Sequence, residues 1–378
     1  MLKIGADRAA EYAGLFAGRV ALFCNAASCS SQGIHTADLL RPLCDLRLLL
    51  APEHGLRGTL EAGEVFGNGI DPSTGLPVYS AYSAGSQRIP FEVYDLADTI
   101  VYDIQDVGCR YYTYISSLRA LVEDCARYKK RLVVLDRPNP LGSRVEGSTL
   151  LSSARSFVGC YEMPVRYGLT CGEFAGMVRQ ELVPDCELFI VPCQGLDRSM
   201  TFSDWGKAWV NPSPNLRSYE AALLYPGTCL LEGTNCSEGR GTPHPFTVLG
   251  APYICARELC EAFSSLTLPG ITAQAAEFTP TASKYSGQHC EGLLLKVTSP
   301  ELLQSCSVGI HLLDLLRRLY PNSFQFLPLR EGESLPFISQ LAGHRLFEDP
   351  DWSVHTLLQM AENDSAAFLS HKQQYHLY

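Results

Sequence analysis

The chain has 378 residues and a formal net charge of −10 at pH 7. This acidic balance argues against a nucleic acid or an anionic membrane surface as a partner, because both require a basic face. Hydrophobic residues make up 46% of the chain and charged residues 19%. This is a globular composition with enough apolar material for roughly two domains.

Membrane insertion and export are not indicated by the sequence. The uninterrupted apolar segments are much shorter than the roughly 20 residues that a membrane-spanning helix requires. The first residues, Met-Leu-Lys-Ile-Gly-Ala-Asp-Arg, lack the apolar core of a secretory signal. We therefore expect a cytoplasmic location for the chain as written, and a periplasmic or secreted one if a precursor segment precedes it.

Fifteen cysteines are scattered over the chain without paired spacing. The nearest approaches to a pattern, Cys24 with Cys29 and Cys255 with Cys260, do not give the C-x-x-C spacing of a zinc site. The histidines also do not pair at ligand spacing. The sequence predicts reduced, mostly buried thiols, and it indicates neither a metal nor a cofactor.

Short apolar runs alternate with helix-length segments along the first part of the chain. The predicted strands are 19–24, 46–50, 99–104, 131–135 and 187–191. The predicted helices are 6–18, 36–43, 115–128, 170–182 and 218–224. This alternation predicts a parallel α/β sheet with right-handed crossovers. The glycine-rich segment 63–80 is predicted to be a loop that wraps or covers a site.

Prolines and glycines interrupt the chain near 241–250, where we place a domain boundary. Residues 1–245 are predicted to form a Rossmann-like catalytic domain. Residues 246–378 are predicted to form a smaller α/β domain, with a cleft between the two. The predicted elements of this second domain are helices 256–265 and 307–319, strands near 272–278 and 292–298, and a terminal helix from about 351.

Polar side chains follow the predicted strands, at the edge where parallel α/β sheets bind ligands. The stretch Ala51-Pro-Glu-His-Gly-Leu-Arg-Gly58 supplies Glu53, His54 and Arg57 on an irregular turn forced by proline and glycine. Taken alone, this stretch is equally consistent with a polar turn that holds an incidental ion pair. The other strand ends supply Asn25, Asp103, Gln105, Asp106, Arg110, Asp136, Arg137 and Asn139. We expect these groups to converge on one rim.

The signatures of several other chemistries are absent from the sequence. It contains no G-x-G-x-x-G after the first strand, no G-x-x-x-x-G-K-[ST], no G-x-S-x-G and no H-E-x-x-H. The rim offers carboxylates, amides, arginines and tyrosines instead. Sugar hydrolysis needs this set: an acid for the leaving oxygen, a second group for water or the oxocarbenium ion, and donors for hydroxyls. Tyr111, Tyr112 and Tyr114 are candidates to face a sugar ring, with core packing as the alternative for at least one of them.

Several strings of the sequence resemble the NamZ-type exo-β-N-acetylmuramidases, a glycoside hydrolase family formerly filed as a domain of unknown function. These strings are Pro52-Glu-His-Gly-Leu-Arg-Gly58, Asp103-Ile-Gln-Asp-Val-Gly108, Arg110-Tyr-Tyr-Thr-Tyr114, Asp136-Arg-Pro-Asn-Pro140, Pro212-Ser-Pro-Asn215, Glu232-Gly-Thr-Asn235 and Ser237-Glu-Gly-Arg-Gly-Thr242. Weaker matches extend the likeness over nearly the whole chain.

The resemblance implies release of N-acetylmuramic acid from the non-reducing end of peptidoglycan fragments such as the MurNAc-GlcNAc disaccharide. It implies that Glu53 is the leading catalytic residue, which we assign as the general acid, with His54 beside it. Asp106 is the first candidate for the second catalytic group and Glu238 the alternative, while Asp103 is a candidate to hold the turn. Arginine suits the lactyl carboxylate of muramic acid because it forms bidentate contacts. The expected substrate ligands are Asn25, Arg57, Gln105, Arg110, Tyr112, Asp136, Asn139, Asn235, Glu238 and Arg240.

Two other functional classes remain open from the sequence. One is a catalytically silent muropeptide- or sugar-binding protein with the same cleft, which would bind the disaccharide without turnover. The other is a Rossmann-type transferase, which the missing glycine fingerprint disfavours. Dense carboxylates favour the enzyme, because a binding protein has no need of a perturbed acid. Retention or inversion at the anomeric carbon depends on the separation of the two catalytic carboxyl groups in space.

Overall fold

A seven-stranded sheet forms the centre of the first half of the molecule. The computed structural model describes residues 2–53, 56, 68–81 and 88–378. The strands of this sheet are β1 (Arg19–Cys24), β2 (Asp45–Ala51), β3 (Gly69–Ile70), β4 (Pro77–Ser80), β5 (Thr99–Asp103), β6 (Arg131–Leu135) and β7 (Leu188–Val191). They lie in the order β3-β4-β2-β1-β5-β6-β7. Every neighbouring pair is parallel except β3 with β4, so the predicted parallel α/β sheet is confirmed.

The five strands predicted from apolar runs are all present, and their ends differ from the prediction by at most one residue. Strands buried on both faces are continuous apolar runs, which makes them easy to find in a sequence. The prediction of a loop over 63–80 is wrong for its last part, because β4 pairs in parallel with β2 through Val78 and Leu49. This strand was not predicted because it is short and lies next to glycine and proline, which are typical of loops. Gly63 and Gly67 lie outside the described residues.

The side chains of the sheet alternate between two apolar layers, as strand geometry requires. In β1, Val20 and Leu22 point into one layer, and Ala21 and Phe23 point into the other. The helices of this half are a 3-10 helix (Gly5–Leu15), α1 (Thr36–Leu40), α2 (Phe91–Tyr94), α3 (Tyr114–Tyr128) and α4 (Cys171–Leu182). The 3-10 helix and α1 cover the first layer, whereas α3 and α4 cover the second. The first half is therefore a three-layer α/β/α structure.

The second half contains a smaller, antiparallel sheet with helices around it. Its strands are β8 (Val248–Ala251), β9 (Ile271–Phe278) and β10 (Cys290–Val297), in the order β8-β10-β9. The helices are α5 (Tyr219–Thr228), α6 (Ala256–Ser265), α7 (Ser305–Leu319), α8 (Phe337–Ala342) and α9 (Val354–His371). The predicted helices and strands of this half are all found. The sequence analysis missed β8 and α8, which are short and flanked by proline.

The two halves share one apolar core. The layer under α3 and α4 continues through Tyr225 and Phe246 to α7 in the second half. Helices α5 and α7 meet at glycines, because a Cβ on Gly227 would lie 1.9 Å from the Ser305 carbonyl oxygen, and one on Gly309 would lie 2.4 Å from the Gly227 carbonyl oxygen. This backbone contact fixes the end of α5 and the 3-10 turn that follows it.

All fifteen cysteines fall within the described ranges, and each is a free thiol. All but four of them are buried, as predicted. Over the part of the chain that the structure describes, no helix combines the length and the apolar character needed to cross a bilayer.

Replacing Gly227 with alanine should destabilise the fold, because the new methyl group would meet the backbone of α7. Overpacking of this kind costs about 1–3 kcal/mol, which outweighs the gain of about 1 kcal/mol from the better helix propensity of alanine. We expect the thermal midpoint to fall by a few degrees. Gly14→Ala is the matched control, since nothing lies within 4 Å of a Cβ at that position. Equal midpoints for the two variants would contradict the close contact of α5 with α7.

Candidate active site

A cavity of about 1110 Å³ is lined by residues from both halves of the chain. This volume is ample for a sugar ligand, because small-molecule sites occupy about 300–1,000 Å³. The charged residues of its wall are Glu53, Arg155, Arg217, Glu232, Glu238, Arg240, Lys284, Arg330 and Glu333. Among the described residues, no group of three or more histidine, cysteine, aspartate or glutamate side chains is arranged to hold a metal ion.

Glu53 enters this wall from the carboxyl end of β2. The strand ends at Ala51, and Pro52 cannot donate a further ladder hydrogen bond, so the chain leaves the sheet there. The Glu53 side chain is buried, with 8% of its surface exposed. Its Oε2 accepts a hydrogen bond of 2.5 Å from the Thr113 hydroxyl, at the residue that precedes α3. The carboxyl group is thereby aimed into the cavity and held in one orientation.

A chain of alternating charges forms another part of the wall. Arg240 donates from Nη2 to Glu232 Oε1 at 2.9 Å, and its Nε lies 3.2 Å from Glu238 Oε1. Lys284 Nζ donates to Glu238 Oε2 at 2.9 Å and to two backbone carbonyls of the neighbouring loop. Both oxygens of Glu238 therefore face cations. Glu238 is also almost fully buried, with 2% of its surface exposed.

The charge of Arg240 is locked in place by its neighbours. Burial alone lowers the pKa of a guanidinium, but the Glu232 and Glu238 carboxylates outweigh this effect and raise the pKa of Arg240 above its usual value. Its guanidinium also lies over the ring of Phe246, with 5.2 Å between Cζ and the ring centroid. Arg240 is thus a permanent cation whose charge is matched by two carboxylates.

Tyrosines supply the aromatic surface of the cavity. Tyr111, Tyr112 and Tyr225 line it, and the ring of Tyr112 packs edge-on against Tyr225 at 5.9 Å and against Tyr114 at 4.8 Å. Burial raises the pKa of the Tyr112 hydroxyl well above its usual value, so this group stays neutral. Tyr114 is outside the cavity wall, and its hydroxyl donates to the Pro212 carbonyl at 2.6 Å. Of the three tyrosines considered in the sequence, Tyr114 is the one with a packing role.

The structure brings together some of the predicted site residues and separates others. Those that line the cavity are Glu53, Tyr112, Glu238 and Arg240. His54 and Arg57 lie outside the described residues. Those that are described but lie outside the cavity wall are Asn25, Gln105, Asp106, Arg110, Asp136, Asn139 and Asn235.

The polar residues after β1, β5 and β6 do meet at one edge of the sheet, but they bind one another. Arg137 donates to both carboxylate oxygens of Asp103, from Nε at 2.5 Å and from Nη2 at 2.8 Å. Asn25 donates to the Tyr114 hydroxyl at 3.1 Å and accepts from the Ala27 amide at 3.0 Å. The predicted substrate role of Asn25 is not supported, because its amide group is buried in the turn after β1.

Asp136 and Asn139 serve the backbone around α4. Asp136 accepts 2.7 Å hydrogen bonds from the Gly172 amide and the Thr170 hydroxyl at the start of this helix, where a carboxylate stabilises the helix dipole. Asn139 donates to the Leu169 carbonyl at 3.0 Å and accepts from the next turn of its own chain. Neither residue lines the cavity, and these contacts do not support the predicted substrate-binding roles.

Arg110 is fully buried and binds backbone from both halves. Its Nη1 donates to the carbonyls of Ser148 and Met163, each at 2.7 Å. Its Nη2 donates to the carbonyls of Leu341 and Ala342, each at 2.9 Å. The predicted contact between Arg110 and the substrate is therefore not supported, since these donors are used inside the protein.

Two predicted amide ligands are occupied in the same way. Gln105 donates to the Pro138 carbonyl at 3.0 Å, which bridges the loops after β5 and β6. Asn235 donates to the Ser323 carbonyl at 2.8 Å and accepts from the Gln325 amide at 2.9 Å. Both residues hold loops together and do not reach the cavity.

Asp106 is buried and lies outside the cavity wall. It accepts from the Gly108 amide at 2.6 Å and from the Tyr167 hydroxyl. Burial raises the pKa of Asp106 to about 6, although these two hydrogen bonds favour the ionised form. The first candidate for the second catalytic group is therefore absent from the cavity wall, whereas the alternative, Glu238, is present.

The residues that bind the predicted carboxylates and Arg240 were not all found from the sequence. Glu232 lies in one of the strings that carried the resemblance, eight residues before Arg240, so a signal for it was present. Thr113 also lay inside a quoted string, but nothing local marked its hydroxyl as a partner of Glu53. Lys284 comes from a distant loop, and no sequence pattern connected it to Glu238.

Asp106→Asn tests whether Asp106 is structural. The folded protein holds a proton on Asp106 up to about pH 6, whereas the unfolded chain releases it near pH 4. The contribution of Asp106 to the free energy of unfolding is therefore lost as pH rises through this window, by up to about 3 kcal/mol. Asparagine does not titrate, so the variant should gain stability relative to wild type between about pH 4.5 and about pH 7.5.

Urea unfolding of both proteins at the two pH values measures this difference. Asp106→Asn should also keep any catalytic turnover at the cavity within a few-fold of wild type. A large loss of turnover in a variant that unfolds at the normal urea concentration would return Asp106 to a catalytic role.

Comparison with known proteins identifies one family over nearly the whole chain. Residues 20–220 match the family model described as exo-beta-N-acetylmuramidase NamZ, N-terminal, and residues 223–378 match the corresponding C-terminal model. The chain is 38% identical over 366 residues to the peptidoglycan beta-N-acetylmuramidase NamZ of Bacillus subtilis strain 168, covering 95% of this chain and 87% of that protein.

Two crystal structures of DUF1343 family proteins from Bacteroides fragilis share the fold. One superimposes with a TM-score of 0.90 at 30% identity, and the other with a TM-score of 0.76 at 28% identity. Each match covers 100% of this chain and 99% of the other. The chain therefore belongs to the NamZ family of exo-β-N-acetylmuramidases.

Proposed function

We propose that this chain is an exo-acting glycosidase that releases N-acetylmuramic acid from the non-reducing end of peptidoglycan fragments, with Glu53 as the general acid. Membership of the NamZ family supports the reaction class, and the Bacillus subtilis relative carries the name of a peptidoglycan β-N-acetylmuramidase. The position of Glu53 carries the proposal. It is a buried carboxyl group in the wall of a large cavity, oriented by a hydroxyl group.

The general acid must give a proton to the glycosidic oxygen as the bond to the anomeric carbon breaks. Glu232 and Glu238 are poorly placed for this step, because both are ion-paired with Arg240. Glu53 accepts a hydrogen bond from the Thr113 hydroxyl group through Oε2. This contact orients the carboxyl group in the cavity wall.

Glu238 is the proposed second group. Its carboxylate is buried in the same cavity and lies between Arg240 and Lys284, which fix its position. A fixed carboxylate stabilises the positive charge that develops on the sugar ring, or it orients the attacking water. In this proposal Glu238 takes the role that the sequence analysis gave first to Asp106.

The remaining wall suits a sugar. The tyrosine rings provide apolar surface for a ring face, while hydroxyl and amide groups of Ser213 and Asn215 line the cavity for sugar hydroxyls. Both Ser213 and Asn215 are buried, so their positions are fixed before the ligand arrives. This preorganisation reduces the entropy that binding would otherwise cost.

Glu53→Gln should lower kcat on the MurNAc-GlcNAc disaccharide by about 10²–10⁴-fold, since the sugar leaving group needs a proton and the amide has no acidic proton to give. Glu333→Gln is the matched control, because Glu333 is an exposed carboxylate of the same cavity that accepts from Gln340. The control should keep its activity. Chromatography of the released sugars measures both.

A Glu53→Gln variant that turns over at nearly the wild-type rate would remove Glu53 from the acid role. A wild-type protein that binds the MurNAc-GlcNAc disaccharide in a saturable way and releases no sugar would favour the binding-protein alternative. Disaccharide cleavage followed by chromatography separates these two outcomes.

Thr113→Val should reduce kcat by about 10-fold with little change in KM, because one hydrogen bond that orients the general acid is lost. Thr113→Ser should restore most of the rate, since it returns the hydroxyl group. The two variants are compared by steady-state kinetics on the same disaccharide. A Thr113→Val variant with the wild-type kcat would show that the hydroxyl group does not orient the general acid.

A further inference from the structure

The cations in the cavity wall differ in whether their charge is already matched. The wall holds Arg155, Arg217, Arg240, Lys284 and Arg330. Arg240 and Lys284 pair with the buried carboxylates described above. Arg155 pairs with Glu162 at 2.9 Å. These three cations offer little attraction to an incoming anion, because each already has a carboxylate partner.

Arg217 and Arg330 are different. Within the described ranges, no carboxylate lies at ion-pair distance from either guanidinium. Arg217 uses its Nε to donate to the Pro214 carbonyl at 2.8 Å, which orients the group and leaves its two terminal nitrogens directed away from this contact. Arg330 lies over the ring of Phe337, with 4.6 Å between Cζ and the ring centroid.

The Arg217 segment is tied to the wall that carries Glu53. Thr113 donates to Glu53, and the next residue, Tyr114, donates through its hydroxyl to the Pro212 carbonyl at 2.6 Å. Two consecutive residues thus hold the general acid and the start of segment 212–217. Arg217 ends this segment with an exposed side chain at the cavity.

Arg330 belongs to a different wall. Its loop is anchored through Leu327, whose amide donates to the Gly233 carbonyl at 2.9 Å. No hydrogen bond among the described residues joins segment 327–330 to Thr113 or Tyr114. Of the two arginines that have no carboxylate partner among the described residues, Arg217 is therefore the one whose segment is hydrogen-bonded to the residue next to Thr113, the partner of Glu53.

We propose that Arg217 is a specificity-determining residue, which binds the carboxylate of an acidic amino sugar held beside Glu53. This inference rests on the proposed function. It names the residue by which the protein would distinguish N-acetylmuramic acid from N-acetylglucosamine. The two sugars differ by the lactyl ether, whose carboxylate is ionised at neutral pH. A guanidinium with two terminal nitrogens available forms the bidentate contact that a carboxylate fits.

The overall charge of the protein makes such a residue necessary. The chain carries a formal net charge of −10, so an anionic sugar approaches against a negative field. A local cation without a carboxylate partner offsets this repulsion where the ligand binds. The arginines expected from the sequence to bind substrate are Arg57, Arg110 and Arg240. Arg57 lies outside the described residues, Arg110 is buried against backbone carbonyls, and Arg240 is paired with two glutamates.

The test compares two 4-nitrophenyl β-glycosides, one of N-acetylmuramic acid and one of its lactyl methyl ester, which is neutral. Arg217→Gln should lower kcat/KM for the acid by about 10- to 100-fold, mainly through KM, because a charge-assisted hydrogen bond is lost. The ester should change by less than about 3-fold. Arg217→Lys should recover part of the preference for the acid. Arg155→Gln is the matched control, because its charge is already paired, and it should leave the ratio of the two substrates unchanged.

Two outcomes would overturn the assignment. Equal losses on acid and ester in Arg217→Gln would show a structural effect without recognition of the carboxylate. A change of the acid-to-ester ratio in Arg330→Gln, with none in Arg217→Gln, would place the carboxylate at Arg330. An active wild type with an unchanged ratio in Arg217→Gln rejects this inference alone, whereas a wild type without turnover rejects the proposed function. In that case, calorimetric binding of N-acetylmuramic acid against N-acetylglucosamine to wild type and Arg217→Gln still decides the role of Arg217.

Discussion

Buried polar groups need hydrogen-bond or ion-pair partners, and this requirement decides which side chains at the carboxyl edge of the sheet bind one another. The bidentate Arg137–Asp103 pair lies there with almost no exposed surface, and the charges stay buried because each satisfies the other. Asp136 and Asn25 obey the same rule with backbone and hydroxyl partners. The edge that binds ligands in many parallel sheets is here largely filled by the protein itself, and the cavity extends from β2 toward the second half.

The fold was predictable where burial leaves a pattern. Strands β1, β5 and β6 were predicted from their continuous apolar runs. Their alternation with helix-length segments predicted the parallel sheet. The short strands β4 and β8 were not predicted, because four residues beside glycine and proline carry no periodic signal. Helix α5 extends across Pro226 to Thr228, whereas the predicted helix ended at residue 224.

Site residues could be predicted only where the interacting groups lie close together in the sequence. Glu53 was found because its turn combines a carboxylate with an unusual backbone, and Glu238 and Arg240 because they share one loop. Strand-end position marked Arg110 and Asp106 equally well, but position along a strand does not tell whether a side chain faces a cavity or the interior. Lys284 could not be predicted as a site residue, because its contact with Glu238 joins loops that are distant in sequence.

The hydrogen bonds from Arg110 to main-chain carbonyl groups join the two halves of the molecule. Ser148 and Met163 belong to the first half, and Leu341 and Ala342 to the last turns of α8 and its neighbourhood in the second. Separating the halves at this point would break the two contacts of Nη2, and a buried guanidinium that loses its partners costs several kcal/mol. The Arg110 side chain therefore holds the two halves together through main-chain carbonyl groups.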